Sequence, residues 1–222
     1  CKKIIRLLAK KHVGFTREEI AKETGLPFGG GLTDTLNALV ESDFIQRYRP
    51  YNVSGKVSFY KLIDNFSLFW LKYVEPNTED INFMTDNMTS NIMRVWRGVA
   101  FEEVCWQHIG QIKRALGISG VSSSISAWSV KGNDNKEGVQ IDLLIIRNDN
   151  VVNLCEMKFA GDIYSIDKEE DAKIRNRIQT LINTLSPKQS VHLTMITTYG
   201  VSHTMYGGRV QQQVILDDLF LS

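Results

Sequence analysis

The sequence lacks the features that mark several protein classes. It has three cysteines and no CxxC pair, and its four histidines stand at no metal-ligand spacing. A structural zinc site is therefore not expected. The formal net charge is only +1, which excludes a globally basic nucleic-acid binder but is compatible with a local basic groove.

Long apolar runs are also missing. No run approaches the roughly 18 residues that a membrane span needs, and the N-terminus shows no signal-peptide pattern. Cys105 and Cys155 lie in apolar patterns and are predicted to be buried thiols of a reducing compartment. We therefore predict a cytoplasmic protein with no membrane partner. The chain starts at Cys1 with a helical pattern, so we expect it to be a piece of a longer polypeptide.

The apolar fraction of 43% and charged fraction of 23% are those of a globular protein, and 222 residues suffice for one large or two small domains. In the first third, three segments have helical periodicity, with starts near residues 2, 17 and 33. Thr16 and Glu19 form a capping-box pattern ahead of the second. Two strand patterns follow, at residues 44–48 and 57–62. This order predicts a winged helix-turn-helix domain over residues 1–63.

The charges of this predicted domain leave two interpretations open. Its third helix carries Asp34, Glu41 and Asp43 but no lysine or arginine, whereas a DNA-reading helix needs cations against phosphate. The wing is better supplied with cations, and its candidate DNA contacts are Arg47, Arg49 and Lys56. The domain either packs against protein or contacts DNA through the wing.

Three consecutive glycines, Gly29 to Gly31, invite comparison with a phosphate loop. Such a loop continues with Lys-Ser/Thr after a strand, but Leu32 and Thr33 follow here. We therefore interpret the glycines as a tight turn between helices. No nucleotide site is visible in the sequence.

An aromatic segment, residues 64–75, predicts a helix that ends before Pro76. The polar residues 77–90 resemble a linker, so residues 64–96 are assigned as a connector. Residues 97–222 then form the second domain, a mixed α/β fold. Its predicted elements, in order, are a helix at 97–116, strands at 125–130, 139–146 and 151–159, a helix at 172–185, strands at 191–197 and 210–216, and a terminal helix at 217–221.

Four charged residues of the second domain form a candidate site. Asp142 interrupts an apolar strand, and Glu156 and Lys158 project from one face of the next strand. Antiparallel pairing around a short turn should bring Asp142 close to Glu156, and two adjacent acids favour a bound Mg²⁺ or Mn²⁺. On the helix at 97–116, Glu102 falls beside the apolar stripe and could complete the metal shell, whereas Glu103 should be solvated.

Such a metal would polarise a phosphodiester and lower the pKa of a bound water. Lys158 would orient that water or neutralise developing charge. The predicted catalytic residues are therefore Asp142, Glu156, Lys158 and Glu102, and the predicted metal ligands are Asp142, Glu156 and Glu102. Lys173 and Arg177, on the helix at 172–185, either line a DNA groove or form a solvated face.

Residues 62–77, LIDNFSLFWLKYVEPN, follow the winged-helix pattern and resemble the region after the ATPase module in a family of archaeal and bacterial AAA+-type ATPases. Those proteins end in a domain similar to PD-(D/E)XK nucleases. The resemblance implies that Asp142 is the first acid, Glu156-Met157-Lys158 the E-x-K, and Glu102 the helix acid. It also implies an ATP-binding module upstream. The implied partners are DNA, that module and further copies of the chain.

Two departures from the nuclease pattern keep a second function open. Ile141, not proline, precedes Asp142, and Gln140 stands where relatives often carry an acid. The domain could then keep the nuclease fold without activity and regulate the ATPase by binding DNA or protein. In that case Lys158 would serve as a strand-end ion-pair partner of Glu156 or Asp142.

Overall fold

The computed structural model describes residues 1–51, 57–130, 132 and 138–221. Helices and β-sheets alternate along the chain, so the predicted mixed α/β class is confirmed. The chain divides into two compact units: the first comprises Cys1–Arg49 and Val53–Glu103, and the second comprises Pro50–Asn52 and Val104–Ser222. Residues 64–96, assigned above as a connector, belong to the first unit.

The first unit begins with three helices and a small sheet. The helices are α1 (Lys2–Leu8), α2 (Arg17–Thr24) and α3 (Gly30–Glu41), and the strands are β1 (Phe15–Thr16), β2 (Ile45–Tyr48) and β3 (Phe59–Leu62). The strand order is β1-β3-β2, antiparallel throughout. The β2–β3 hairpin was predicted, whereas β1 was not, because two residues are too few to show an alternating pattern. Lys56 lies outside the described residues.

The core of the first unit lies where the three helices meet the sheet. Ile4, Ile20, Leu36 and Ile45 are fully buried there, which explains the apolar spacing of each helix. The helix predicted from Thr33 starts three residues earlier, because Gly29 is the extended N-cap and α3 begins at Gly30. The glycine run therefore forms a helix start, and only Gly29 belongs to the preceding turn.

Thr16 and Glu19 form the predicted capping box at the start of α2. The Glu19 amide donates to the Thr16 hydroxyl at 3.1 Å, and the Thr16 amide donates to the Glu19 carboxylate at 2.7 Å. Two amides without helical partners are thereby satisfied. The helix ends at Gly25, whose φ of 68° is left-handed, where glycine avoids the steric cost of a side chain.

Replacing Thr16 by alanine is expected to lower the free energy of unfolding by about 1 kcal/mol, because the Glu19 amide loses its acceptor. Urea denaturation of both proteins measures the difference. Thr16→Ser keeps the hydroxyl and should stay close to the wild type. Equal losses in the two variants would show that the methyl group of Thr16, not its hydrogen bond, stabilises the helix start.

The aromatic segment is less regular than predicted. It forms α4 (Asn65–Phe69), a π-helical turn (Trp70–Val74) and a 3₁₀ turn (Glu75–Asn77), so the prediction of one helix was wrong in detail. Pro76 has no amide hydrogen to donate, and a regular α-helix cannot continue through it. The first unit then adds α5 (Phe83–Asn87), within the polar stretch predicted as a linker.

The next helices also differ from the prediction of one helix at 97–116. There are two, α6 (Asn91–Gln107) and α7 (Ile109–Ala115), because His108 departs from helical geometry with φ −110° and ψ 30°. The division between the units falls within α6, between Glu103 and Val104. Cys105 and Cys155 are buried free thiols, as predicted.

The second unit is built on a five-stranded sheet of order β4-β5-β6-β7-β8. Its strands are β4 (Ser123–Val130), β5 (Val139–Arg147), β6 (Val151–Lys158), β7 (Ser190–Thr197) and β8 (Gln212–Ile215). The pairs from β4 to β6 are antiparallel, and those from β6 to β8 are parallel. The parallel step from β6 to β7 passes through α8 (Lys168–Ile182). A 3₁₀ turn, Leu216–Leu219, replaces the predicted terminal helix.

Helix α8 covers one face of this sheet. Its Ile174 and Leu181 share a buried cluster with Leu144, Val152 and Leu154 of the central strands. Ile182, directly after Leu181 on the same helix, is 45% exposed. None of the helices in the described parts of the chain has the length and apolar character that a membrane crossing requires.

Candidate functional site

The β5–β6 hairpin brings the two predicted acids to the same end of its ladder. Pairing runs from Ile146 opposite Val152 to Leu143 opposite Cys155. The next residues beyond that last pair are Asp142 on β5 and Glu156 on β6. The structure therefore places the two side by side, as the hairpin pattern predicted.

Asp142 also lies at an irregularity of β5. The register between β4 and β5 shifts between Ser126, opposite Leu144, and Trp128, opposite Ile141. The shift leaves two residues of β5, Asp142 and Leu143, against one residue of β4, which is the arrangement of a β-bulge. A bulge ends regular pairing and redirects a side chain, and bulges are frequent beside active sites. The Asp142 carboxylate is half-buried and accepts a hydrogen bond from the Gln140 amide at 2.6 Å.

Glu156 is the most buried charged group of this site, with 8% of its surface exposed. One carboxylate oxygen, Oε2, lies 3.0 Å from Nη1 of Arg177. Burial raises the pKa of Glu156 to about 7, the nearby cations Arg177 and Lys158 oppose that rise, and the acids Asp142 and Glu170 add to it. The chain thus holds a carboxyl group that titrates near neutral pH next to a second acid.

Lys158 pairs with an acid that the sequence analysis did not single out. Its Nζ lies 2.8 Å from Oε1 of Glu170, and the Tyr164 hydroxyl donates to the other oxygen of the same carboxylate. Burial and the hydrogen bond to Glu170 raise the pKa of Tyr164, so the phenol stays protonated as a donor. The sequence left open that Lys158 pairs with Glu156 or Asp142; in the structure its ion-pair partner is Glu170.

Helix α8 delivers both Glu170 and Arg177 to the sheet. Asp167 caps the helix by accepting from the Glu170 amide at 2.8 Å, and acids in the first turn suit the helix dipole. Glu170 precedes the buried Ile174 by four residues, and Arg177 follows it by three. All three therefore lie on the sheet-facing side. This spacing was the available signal for Glu170: a charged residue in phase with an apolar stripe.

The other predicted DNA contacts differ in exposure and in partners. Lys173 is exposed on α8 and pairs with Glu169 at 2.7 Å, which fits the solvated-face interpretation. Arg47 and Arg49 are exposed at and just after β2 in the first unit. Arg177 is half-buried and faces Glu156, which contradicts the idea of a simple solvated face at that position.

Glu102 belongs to the first unit, where it has a partner of its own. Its Oε2 lies 2.7 Å from Nε2 of His12, and this hydrogen bond raises the pKa of His12, although burial opposes the rise. The role of Glu102 as a third metal ligand stays a prediction. The two ligands that the second unit itself provides are Asp142 and Glu156.

Glu103 was predicted to be solvated, and this was wrong. Its side chain is completely buried, its Oε2 lies 3.1 Å from Nζ of Lys61, and its Oε1 lies 3.5 Å from Nδ1 of His12. Burial raises the pKa of Glu103, while Lys61 and His12 counteract the effect. Helical periodicity indicated one apolar face of the helix, and Glu103 does not lie on that face. The pattern could not show that the buried ammonium of Lys61, on β3, stabilises the buried carboxylate of Glu103.

The donor set of the second unit suits a hard divalent cation. Asp142 and Glu156 offer only carboxylate oxygens, which Mg²⁺ and Mn²⁺ prefer. Burial is the main cause of the raised pKa of Glu156, and the charge of Asp142 adds to it; a cation between the two acids would relieve that repulsion. The residues therefore fit a metal held by two carboxylates and completed by water or substrate oxygens.

No protein-family model matches the chain, and no curated protein matches it. The chain is similar to a solved crystal structure of a protein of unknown function, AF1548, with 18% sequence identity and a TM-score of 0.35. That similarity covers 50% of this chain and 55% of the other.

Proposed function

We propose that the second unit is a PD-(D/E)XK nuclease-like domain that hydrolyses DNA phosphodiesters with Mg²⁺ or Mn²⁺. The observation that carries the proposal is the placement of Asp142 and Glu156 at one end of the β5–β6 ladder, with Lys158 two residues further on β6. An acid on one strand and E-x-K on its neighbour provide oxygen ligands and a cation within one small area.

The roles follow from the chemistry of each side chain. Asp142 and Glu156 would hold the divalent ion, which supplies Lewis acidity and a more acidic bound water. Lys158 would place its ammonium beside the attacked phosphate and stabilise the negative charge that develops there. Glu170 holds that ammonium in position through the 2.8 Å ion pair, and the Tyr164 hydroxyl donates to the other oxygen of the Glu170 carboxylate.

The first unit supports a DNA-binding role within the same proposal. Three helices followed by a β-hairpin suit a winged helix-turn-helix, and Arg47 and Arg49 are exposed at its hairpin, with Lys56 as a further candidate. In this proposal the protein belongs to the AAA+-type ATPase family, binds ATP in an upstream module and assembles with further copies of itself.

One observation favours the alternative, an inactive nuclease fold that regulates an ATPase by binding DNA or protein. Arg177 already pairs with Glu156, and Lys158 already pairs with Glu170. Glu156 and Glu170 therefore have cationic partners without a metal. A domain whose charges are balanced in this way could be purely structural.

Cleavage of supercoiled plasmid DNA separates the two functions. The chain, and a longer protein carrying the ATPase module with ATP, are incubated with Mg²⁺ or Mn²⁺. We expect nicked or linear products that disappear with chelator, with Asp142→Asn and with Lys158→Met, because each substitution removes a ligand or the charge-stabilising cation. Lys188→Met removes an exposed lysine outside the site and should cleave normally. Absence of cleavage in every wild-type sample would reject the nuclease function.

A further inference from the structure

Arg177 occupies a special position relative to the proposed metal ligands. Its Nη1 lies 3.0 Å from Oε2 of Glu156, with 26% of the arginine side chain and 9% of the glutamate side chain exposed. The guanidinium is brought there by the apolar stripe of α8, in which Ile174 and Leu181 are buried against the sheet. The contact is therefore built into the packing of the helix and is not a loose surface pair.

The charge balance of the site depends on this contact. A carboxylate that is almost fully buried needs a cation or a proton. Lys158 is committed to Glu170 at 2.8 Å. Among the described residues, Arg177 is the cation in direct contact with Glu156.

We propose that Arg177 is the resident cation of the site and that a divalent ion binding to Asp142 and Glu156 displaces it from Glu156. The inference rests on the proposed metal site. A guanidinium and a metal ion need the same carboxylate oxygens, and two cations held within a few ångströms of each other repel strongly in a partly buried site. Metal affinity in this protein is consequently set by competition with one of its own side chains.

Displacement also has a direction. Arg177 is partly exposed, so its flexible side chain can swing away from Glu156 towards solvent while the backbone of α8 stays packed. A guanidinium in that position is suited to contact a phosphate through two parallel hydrogen bonds. Metal loading would thus expose a phosphate-binding group next to the metal, which links the two halves of the proposed chemistry.

The test is Mn²⁺ binding by the metal-free chain, measured by isothermal titration calorimetry. Arg177→Met removes the competitor and should bind Mn²⁺ about tenfold more tightly than the wild type, a coupling of ordinary size. The titrations are run at about pH 8, because loss of the arginine also favours protonation of Glu156. Arg175→Met is the matched control: Arg175 is on the same helix but pairs with Asp171 at 3.0 Å, so its loss should leave Mn²⁺ binding unchanged.

A second measurement follows the arginine itself and needs no variant that might misfold. In nuclear magnetic resonance spectra of the wild type, saturating Mg²⁺ should shift the Arg177 guanidinium signals and make them resemble those of a solvated arginine. The Arg175 signals should not change. Mg²⁺ is diamagnetic, so a shift reports the loss of the Glu156 contact.

Each outcome decides a different point. Mn²⁺ binding by the wild type without tighter binding by Arg177→Met, together with unchanged Arg177 signals, would overturn the displacement and leave the proposed metal site intact. Absence of binding in both proteins would reject the metal site and this inference with it. Binding by Arg177→Met alone would support the inference, because the resident cation would then exclude the metal.

Discussion

Replacing Lys61 by methionine is expected to lower the free energy of unfolding by about 3–5 kcal/mol, the usual cost of leaving a buried charge without its partner. Lys61 is 4% exposed on β3, and its ammonium lies 3.1 Å from the fully buried carboxylate of Glu103. Methionine fills a similar volume but supplies no charge. His12, at 3.5 Å from the other oxygen, compensates only in part. Urea denaturation followed by circular dichroism measures the loss.

The loss should depend on pH in a defined direction. Burial raises the pKa of Glu103 above its ordinary value, and Lys61 opposes that rise, so the variant raises the pKa further. Between the unfolded and folded pKa values the folded state binds a proton that the unfolded state releases, and stability therefore falls as pH increases. We expect the variant to lose more stability than the wild type as pH rises above 4.5, the ordinary pKa of this carboxyl.

A second substitution provides the control for Lys61. Lys61→Met combined with Glu103→Leu removes both charges and should recover most of the stability, because a buried ion pair is often replaceable by apolar side chains. If Lys61→Met alone costs less than about 1 kcal/mol at every pH, the pair behaves like a surface salt bridge, and the assigned burial of Glu103 is wrong.

Stability of the second unit should also fall with pH, through Glu156. Burial raises the pKa of this carboxyl from 4.5 to about 7. The resulting stabilisation is fully present below pH 4.5 and is lost as pH rises through about 7, because only the folded state retains the proton in that window. A shift of this size corresponds to about 3 kcal/mol.

Metal-free wild type and Glu156→Gln are compared by urea denaturation in chelator between about pH 4 and pH 8. The neutral amide cannot titrate, so the difference in unfolding free energy between the two proteins should change across this window. Asp142→Asn removes one charge that raises the pKa of Glu156. The pH range over which the stability changes should therefore become narrower. Parallel curves for the wild type and Glu156→Gln would mean that Glu156 titrates normally.

Local signals in the sequence identified much of the secondary structure. The capping box of Thr16 and Glu19 depends on hydrogen bonds within a few residues, so the neighbouring residues are enough to predict it. The β5–β6 hairpin was equally accessible, because alternating apolar residues and a short turn define its register. Register in turn placed Asp142 next to Glu156.

Sequence patterns did not predict the structural features that depend on distant residues or on small changes in the backbone. The break at His108 and the π-helical turn at Trp70–Val74 alter backbone hydrogen bonds without an obvious change in apolar spacing. The bulge at Asp142 arises from the pairing of β5 with β4, and no property of β5 alone indicates it.

The sequence alone was sufficient to predict that Asp142, Glu156 and Lys158 lie together, because strand alternation and hairpin pairing are short-range rules. Tertiary packing determines which residues form ion pairs with these charged side chains. Helix α8 brings Arg177 to Glu156 and Glu170 to Lys158, and β3 brings Lys61 to Glu103. A buried charge is stable only beside a compensating one, and that partner comes from a segment 12 to 42 residues away, counted from Lys158 to Glu170 and from Lys61 to Glu103.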